Sequence, residues 1–184
     1  MKPLPRSWFE QDALALAPKL LGKIVRKGSC TGIIVETEAY MSDPASHGAK
    51  WPVKGRLMRE TYGHWYVYFT YGMHWCANVT VDKKEAGAVL IRAVEPLAGI
   101  PLMKRRRDTD VVKNLCSGPA KFTQAFGISG KDNGIKIGAD FAVYDAPSLL
   151  HKDIVVSTRI GVSKGVDLPW RFYIKDNPFV SRTS

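Results

Sequence analysis

The sequence predicts a mixed α+β fold, one domain spanning residues 1–184. Three observations predict it. The middle of the chain carries several runs rich in β-branched and aromatic residues, the composition of strands. Helical apolar spacing is found in segments before and after those runs. Strands and helices show no regular βαβ rhythm. With 184 residues, the chain is long enough for one sizeable core.

In chain order, Phe9 to Leu21 has helical spacing through Leu14, Ala17 and Leu21, and Gly22 stops it. Pro18 is expected to kink or split that helix. Thr31 to Tyr40, Trp65 to Thr70, Trp75 to Val81 and Ala88 to Val94 read as strands. Tyr71-Gly72-Met73-His74 lies between two of them and reads as a hairpin tip. A second helix is predicted over Leu97 to Arg107. Its closing basic run, Lys104 to Arg107, suits a helix C-terminus and reads as a solvated face. Ser117-Gly118-Pro119 resembles an N-cap and first turn for a helix through Phe126, closed by Gly127. Ser129 to Leu150 reads as turns between short strands, and Trp170 to Ile174 as the last strand.

Composition narrows the function. Lys plus Arg exceed Asp plus Glu by 27 to 17, a net charge of +10, which suits a polyanionic partner such as nucleic acid. No apolar run approaches the roughly 18 residues of a membrane span. The first residues lack a signal-peptide stretch, so a soluble, intracellular protein is expected. Cys30, Cys76 and Cys116 are odd in number and widely spaced. They read as reduced, partly buried thiols, not as disulfides or zinc ligands. His47, His64, His74 and His151 show no ligand spacing.

Ile33 to Tyr40 is the most informative segment. Alternation along a strand puts Ile34, Glu36, Glu38 and Tyr40 on one face and Ile33, Val35, Thr37 and Ala39 on the other. Two carboxylates beside an aromatic ring mark either a solvent-facing strand edge or a general base held where water meets substrate. Paired carboxylates also occur in glycosidic-bond cleavage and at metal sites. Arg92, the single charge in Ala88 to Val94, offers a partner, either structural or functional. Tyr71 and Met73 flank Gly72 at the hairpin tip. There they either pack on another loop or form a wedge that unstacks bases. On the strand before the tip, Tyr66 and Tyr68 face one way and Trp65, Val67 and Phe69 the other.

Taken together, these residues resemble the alkyladenine (3-methyladenine) DNA glycosylase family. The matching pieces run along most of the chain: Leu20-Leu21-Gly22, Ile34 to Tyr40, Tyr66-Val67-Tyr68, Tyr71-Gly72-Met73, Asn78, Val89 to Pro96, Leu115 to Pro119 and Arg159 to Val162. The resemblance implies one glycosylase domain with a curved antiparallel sheet, surrounding helices and a protruding hairpin. It implies an enzyme, located with the DNA, that flips alkylated or deaminated purines out of duplex DNA; a monomer suffices for this and is expected. Examples are 3-methyladenine, 7-methylguanine, hypoxanthine and ethenoadenine.

By the same resemblance, Glu38 and Arg92 hold the attacking water, with the backbone carbonyl of Ile160 as a third contact. Tyr40 and His47 sandwich the flipped base, Tyr68 closes the pocket edgewise, and backbone amides near Ala45 and His47 read the base edge. Asn78 crowds the exocyclic amino group of guanine. Tyr71 fills the gap left in the stack, with Met73 beside it. Lys54, Arg56, Ser117 and Lys121 are candidate contacts to the DNA backbone. In the loop Trp51 to Arg56 the sequence departs from the family's usual Thr-x-Arg-Asn element. No lysine falls at a matched catalytic position, which implies simple hydrolysis to an abasic site. No metal or organic cofactor is implied. The rivals are a non-catalytic damaged-DNA binding module and a metal nuclease built on Glu36, Glu38 and His47.

Overall fold

Strand β2 (Cys30–Tyr40) is the spine of the sheet, because both of its edges are paired along nearly their whole length. The computed structural model describes residues 2–43, 45–46, 55–81, 86–138 and 140–181. One edge of β2 carries the equally long β5 (Ala88–Ala98). The other edge is shared by two short strands. β1 (Ile24–Lys27) pairs with its first half, and β8 (Arg171–Ile174) pairs with Glu36 to Glu38. Beyond β5 lie β4 (His74–Thr80) and then β3 (Trp65–Thr70). Beyond β1 lies β6 (Phe141–Tyr144), and beyond β8 lies β7 (Ile154–Ser157). All pairings are antiparallel, and together they form one curled, eight-stranded sheet with helices packed around it, the α+β class that the sequence predicts.

Close strand packing explains Gly32. A Cβ there would sit 2.4 Å from a methyl of Val94 and 2.6 Å from the Glu95 carbonyl. Only glycine lets β2 and β5 approach at that point.

Helix α1 (Ala13–Leu20) lies on the inner face. Ala13, Leu16, Ala17 and Leu20 recur at helical spacing and are all buried in the core. The helix starts later than the apolar spacing predicts, since Phe9 closes a separate 3-10 turn, Arg6–Phe9. Asp12 sets the true start: its carboxylate accepts from the Leu14 and Ala15 amides at 2.6 and 3.1 Å. Pro18 lies within the helix, which runs on to Leu20 without splitting. Asp12→Ala is expected to cost about 1 kcal/mol of stability, read as a shift of the denaturation midpoint. An unchanged midpoint would show that the cap contributes nothing.

The short helix α2 (Arg56–Glu60) has no clear sequence signal. Helix α3 (Ile100–Arg107) begins later than predicted because β5 continues through Leu97 to Ala98, and Gly99, at φ 77°, makes the turn. Helix α4 (Pro119–Phe126) ends at Gly127 as expected, but Gly118, not Ser117, is its N-cap. Ser117 instead forms a bridge to Ala93. The basic run of α3 is only partly solvated. Arg106 donates to the Ala125 carbonyl and Arg107 to the Leu115 carbonyl, which ties α3 to the segment around α4. All three cysteines are free and buried.

Candidate active site

A double irregularity between β2 and β5 creates the site. Ile34 faces Val94 and Thr37 faces Ile91, but Glu36 faces Ala93 between them. Val35 is therefore an extra residue on one strand and Arg92 an extra residue on the other. Such bulges re-aim side chains without ending the pairing. Simple alternation fails here: Ile34, not Val35, joins Ala39 in the main core, and Thr37 donates to the Ala17 carbonyl of α1. Val35 turns outward with Ile33, into a smaller cluster with Ala93, Tyr173 and Val180. Glu36 and Glu38 do share a face, as expected, and Arg92 binds both.

Arg92 Nε donates to Glu36 Oε1 at 3.0 Å, and a terminal nitrogen forms an ion pair with Glu38 Oε1 at 3.0 Å. Both carboxylates are 0% exposed. The two acids nevertheless differ. Glu36 also accepts from Arg171 Nε at 2.7 Å and from the amide and hydroxyl of Ser181 at 2.8 and 2.9 Å. It is the centre of a saturated structural network. Glu38 accepts instead from the Ile160 amide at 2.7 Å and from the Tyr40 hydroxyl at 2.8 Å. Ile160 thus meets Glu38 through its amide.

Tyr40 links Glu38 to a small cavity of about 30 Å³, lined by Tyr40, Ala45, Met58, Tyr66, Tyr68, Asn78 and Ala88. Glu38 does not line the cavity but stands one hydrogen bond behind its wall. Burial, reinforced by the nearby Glu38 charge, pushes the Tyr40 hydroxyl well above its usual pKa. Burial does the same for Tyr68, whose hydroxyl interacts with the Cys76 thiol, itself pushed up to about 11. These groups remain protonated near neutral pH, so Tyr40 is a donor to Glu38. Asn78 is buried and donates its side-chain amide to the Tyr66 carbonyl at 3.0 Å, which fixes its orientation at the cavity wall.

The structure therefore brings together Glu38, Arg92, Ile160, Tyr40, Ala45, Tyr68 and Asn78. The Ala45 amide, expected to read a base edge, donates to Asp43 Oδ1 at 2.9 Å and so holds its own loop. His47 and Lys54 lie outside the described residues. Arg56 is exposed and pairs with Glu60 one helical turn on. Lys121 Nζ donates to the Ser117 hydroxyl at 3.2 Å. Met58, Tyr66 and Ala88 were not among the expected pocket residues. Tyr66 carried a signal, since it shares a strand face with Tyr68, whereas nothing local marks Met58 or Ala88. Among the described residues, no group of three His, Cys, Asp or Glu side chains could hold a metal ion, and no helix is long and apolar enough to cross a membrane.

The hairpin tip stands clear of the sheet. Tyr71 is 78% exposed and Met73 66%. Tyr71 and Gly72 both have positive φ, 51° and 66°, and the Met73 amide closes the turn onto Thr70. A tyrosine held in the left-handed region costs about 1 kcal/mol or more, and such strain concentrates at functional positions.

Comparison with known proteins identifies the family. The family model for methylpurine-DNA glycosylase matches residues 7–178. A protein of Agrobacterium fabrum is 46% identical over 97% of this chain and 92% of its own length. One from Francisella tularensis is 49% identical over 90% of this chain and 92% of its own length. One from Methanoculleus marisnigri is 42% identical over 97% of this chain and 98% of its own length. Each of these relatives bears the name "Putative 3-methyladenine DNA glycosylase". The family model spans nearly the whole chain, and relatives above 40% identity cover it from end to end: the chain belongs to the methylpurine-DNA glycosylase family.

Proposed function

We propose that this protein flips an alkylated or deaminated purine out of duplex DNA and hydrolyses its N-glycosidic bond, with Glu38 as the general base. One observation carries the reading: a buried carboxylate, held by two hydrogen bonds and an ion pair, stands directly behind an aromatic-walled cavity. A purely structural ion pair needs no cavity beside it, and a binding module needs no buried carboxylate there.

The chemistry follows from the residues. Alkylation at a purine ring nitrogen leaves a cationic base, which aromatic faces attract by about 0.5–2 kcal/mol. As the glycosidic bond lengthens, positive charge develops on the sugar, and a carboxylate stabilises it. Water attacks C1′, its proton passes to Glu38, and the bonding pair leaves with the base nitrogen. A cationic base departs neutral, without acid catalysis. Glu38 is 0% exposed, so the water it deprotonates is one held in the site, not bulk solvent. Arg92 fixes the carboxylate between its partners. Asn78, pinned by Tyr66, crowds the position that the guanine amino group would take.

Tyr71 is the wedge in this reading, filling the space left by the flipped nucleotide. Tyr71→Ala is expected to slow excision about tenfold or more when the lesion sits in a stable pair, and much less in a mismatch, where flipping costs little. Single-turnover rates on the two duplexes check this, and equal losses would remove the wedge role.

The function is tested by incubating the protein with duplexes that carry one 3-methyladenine, 7-methylguanine or hypoxanthine. Free base and an alkali-labile abasic site are expected, with the strand intact until alkali is added. Strand cleavage without alkali, or no base release from any of these duplexes, would contradict it.

A further inference from the structure

Arg159 and Asp43 form a buried pair outside the cavity. Arg159 reaches Asp43 through both terminal nitrogens, at 2.8 and 3.2 Å, and its side chain is 0% exposed. The guanidinium lies between two rings, 4.8 Å from the centroid of Tyr40 and 5.0 Å from that of Trp170. Its Nε has no hydrogen-bond partner, so stacking, not a full set of hydrogen bonds, holds this face of the group. Tyr40 lines the cavity and Arg159 does not, so the ring stands between the guanidinium and whatever the cavity holds.

We propose that the Arg159–Asp43 pair, backing Tyr40, sets the balance between cationic and neutral bases in the pocket. This rests on the reading of Tyr40 as a wall of the base site. A base stacked on the open face of Tyr40 lies about 8 Å from Arg159, one stacking distance beyond the ring. An isolated guanidinium there would repel a cationic base and leave a neutral one nearly unaffected. Asp43 cancels that charge. Burial pushes the Asp43 carboxyl up, but its hydrogen bonds from Arg159 and from the Ala45 and Met41 amides hold it below the usual carboxylate range. The pair is thus ionised and close to neutral in sum, and the π face of Tyr40 keeps its attraction for a cation. The same pair anchors the loop that carries Ala45, and Arg159 is the neighbour of Ile160, which caps Glu38.

The two halves of the pair give opposite signs. Asp43→Asn leaves a net positive charge behind the ring, and Arg159→Met a net negative one. The readout is the ratio of single-turnover release of 7-methylguanine, a cation, to that of hypoxanthine, a neutral base, at pH 7.5. Relative to wild type, the ratio is expected to fall about tenfold in Asp43→Asn and rise about tenfold in Arg159→Met. Arg159→Lys keeps the charge and is expected to keep the ratio, whatever it does to the absolute rates. A merely structural role would lower both rates together and leave every ratio within about twofold of wild type, and that result would overturn the proposal. So would an equal shift in the Lys and Met variants. Failure of the underlying reading looks different, since wild type itself would then release neither base or Glu38→Gln would remain active.

Discussion

Glu38→Gln is expected to lower base release by about 10²–10⁴-fold, the usual contribution of a positioned general base, while damaged DNA still binds. The substitution is nearly isosteric. The amide oxygen can take the Oε1 position and still accept from the Ile160 amide beside Arg92, while the amide nitrogen takes the Oε2 position and donates to the Tyr40 hydroxyl. What it loses is the capacity to take a proton from water and the charge that faces the developing cation on the sugar. The loss belongs in the chemical step, so single-turnover rates should fall while the dissociation constant for the lesion duplex changes little. If binding falls in parallel with rate, Glu38 is a structural residue.

Glu36→Ala is expected to act on stability instead, by about 3–5 kcal/mol, the cost of removing one partner from a buried ion network. Glu36 gathers Arg92, Arg171 and both donors of Ser181 around one carboxylate with no solvent contact. It therefore closes the sheet at β8 and fastens the C-terminal segment over the bulge. Typical domains have only about 5–15 kcal/mol in total, so the variant should unfold at clearly lower denaturant. Glu36→Gln, which keeps an acceptor, should lose less. A loss below about 1 kcal/mol for Glu36→Ala would show that the network contributes little.

These two neighbouring acids also show how far the sequence can be read. Strand content, the hairpin and the helix stops followed from residue type. Trp65 to Thr70 and its tip were legible because β-branched and aromatic residues end sharply at Gly72. Arg92 was legible as a partner because it is the single charge in an apolar run. Alternation could not separate Glu36 from Glu38, because both do lie on one face. Only the resemblance to a known family chose between them, and the geometry now gives the physical difference. The bulge at Val35 and Arg92 leaves no local sign, so plain alternation puts Ile33, Ile34 and Val35 on the wrong faces. Arg171 and Ser181 lie 135 and 145 residues from the carboxylate they bind, and no periodicity reports such a contact. Strands β1 and β7, of four residues each, are too short for a repeat to show. Apolar spacing places the start of α1 too early because it continues back to Phe9, whereas Asp12 caps the helix further on.

The most direct measurement is single-turnover release of free base, with enzyme in excess, from a duplex bearing one hypoxanthine or methylated purine. Wild type and Glu38→Gln are compared on the same duplex, and binding is measured for both. With Glu38 as the base, wild type releases the purine and leaves an alkali-labile site, and the variant binds equally but releases it at least a hundredfold more slowly. Release by Glu38→Gln at the wild-type rate would contradict the role assigned to Glu38.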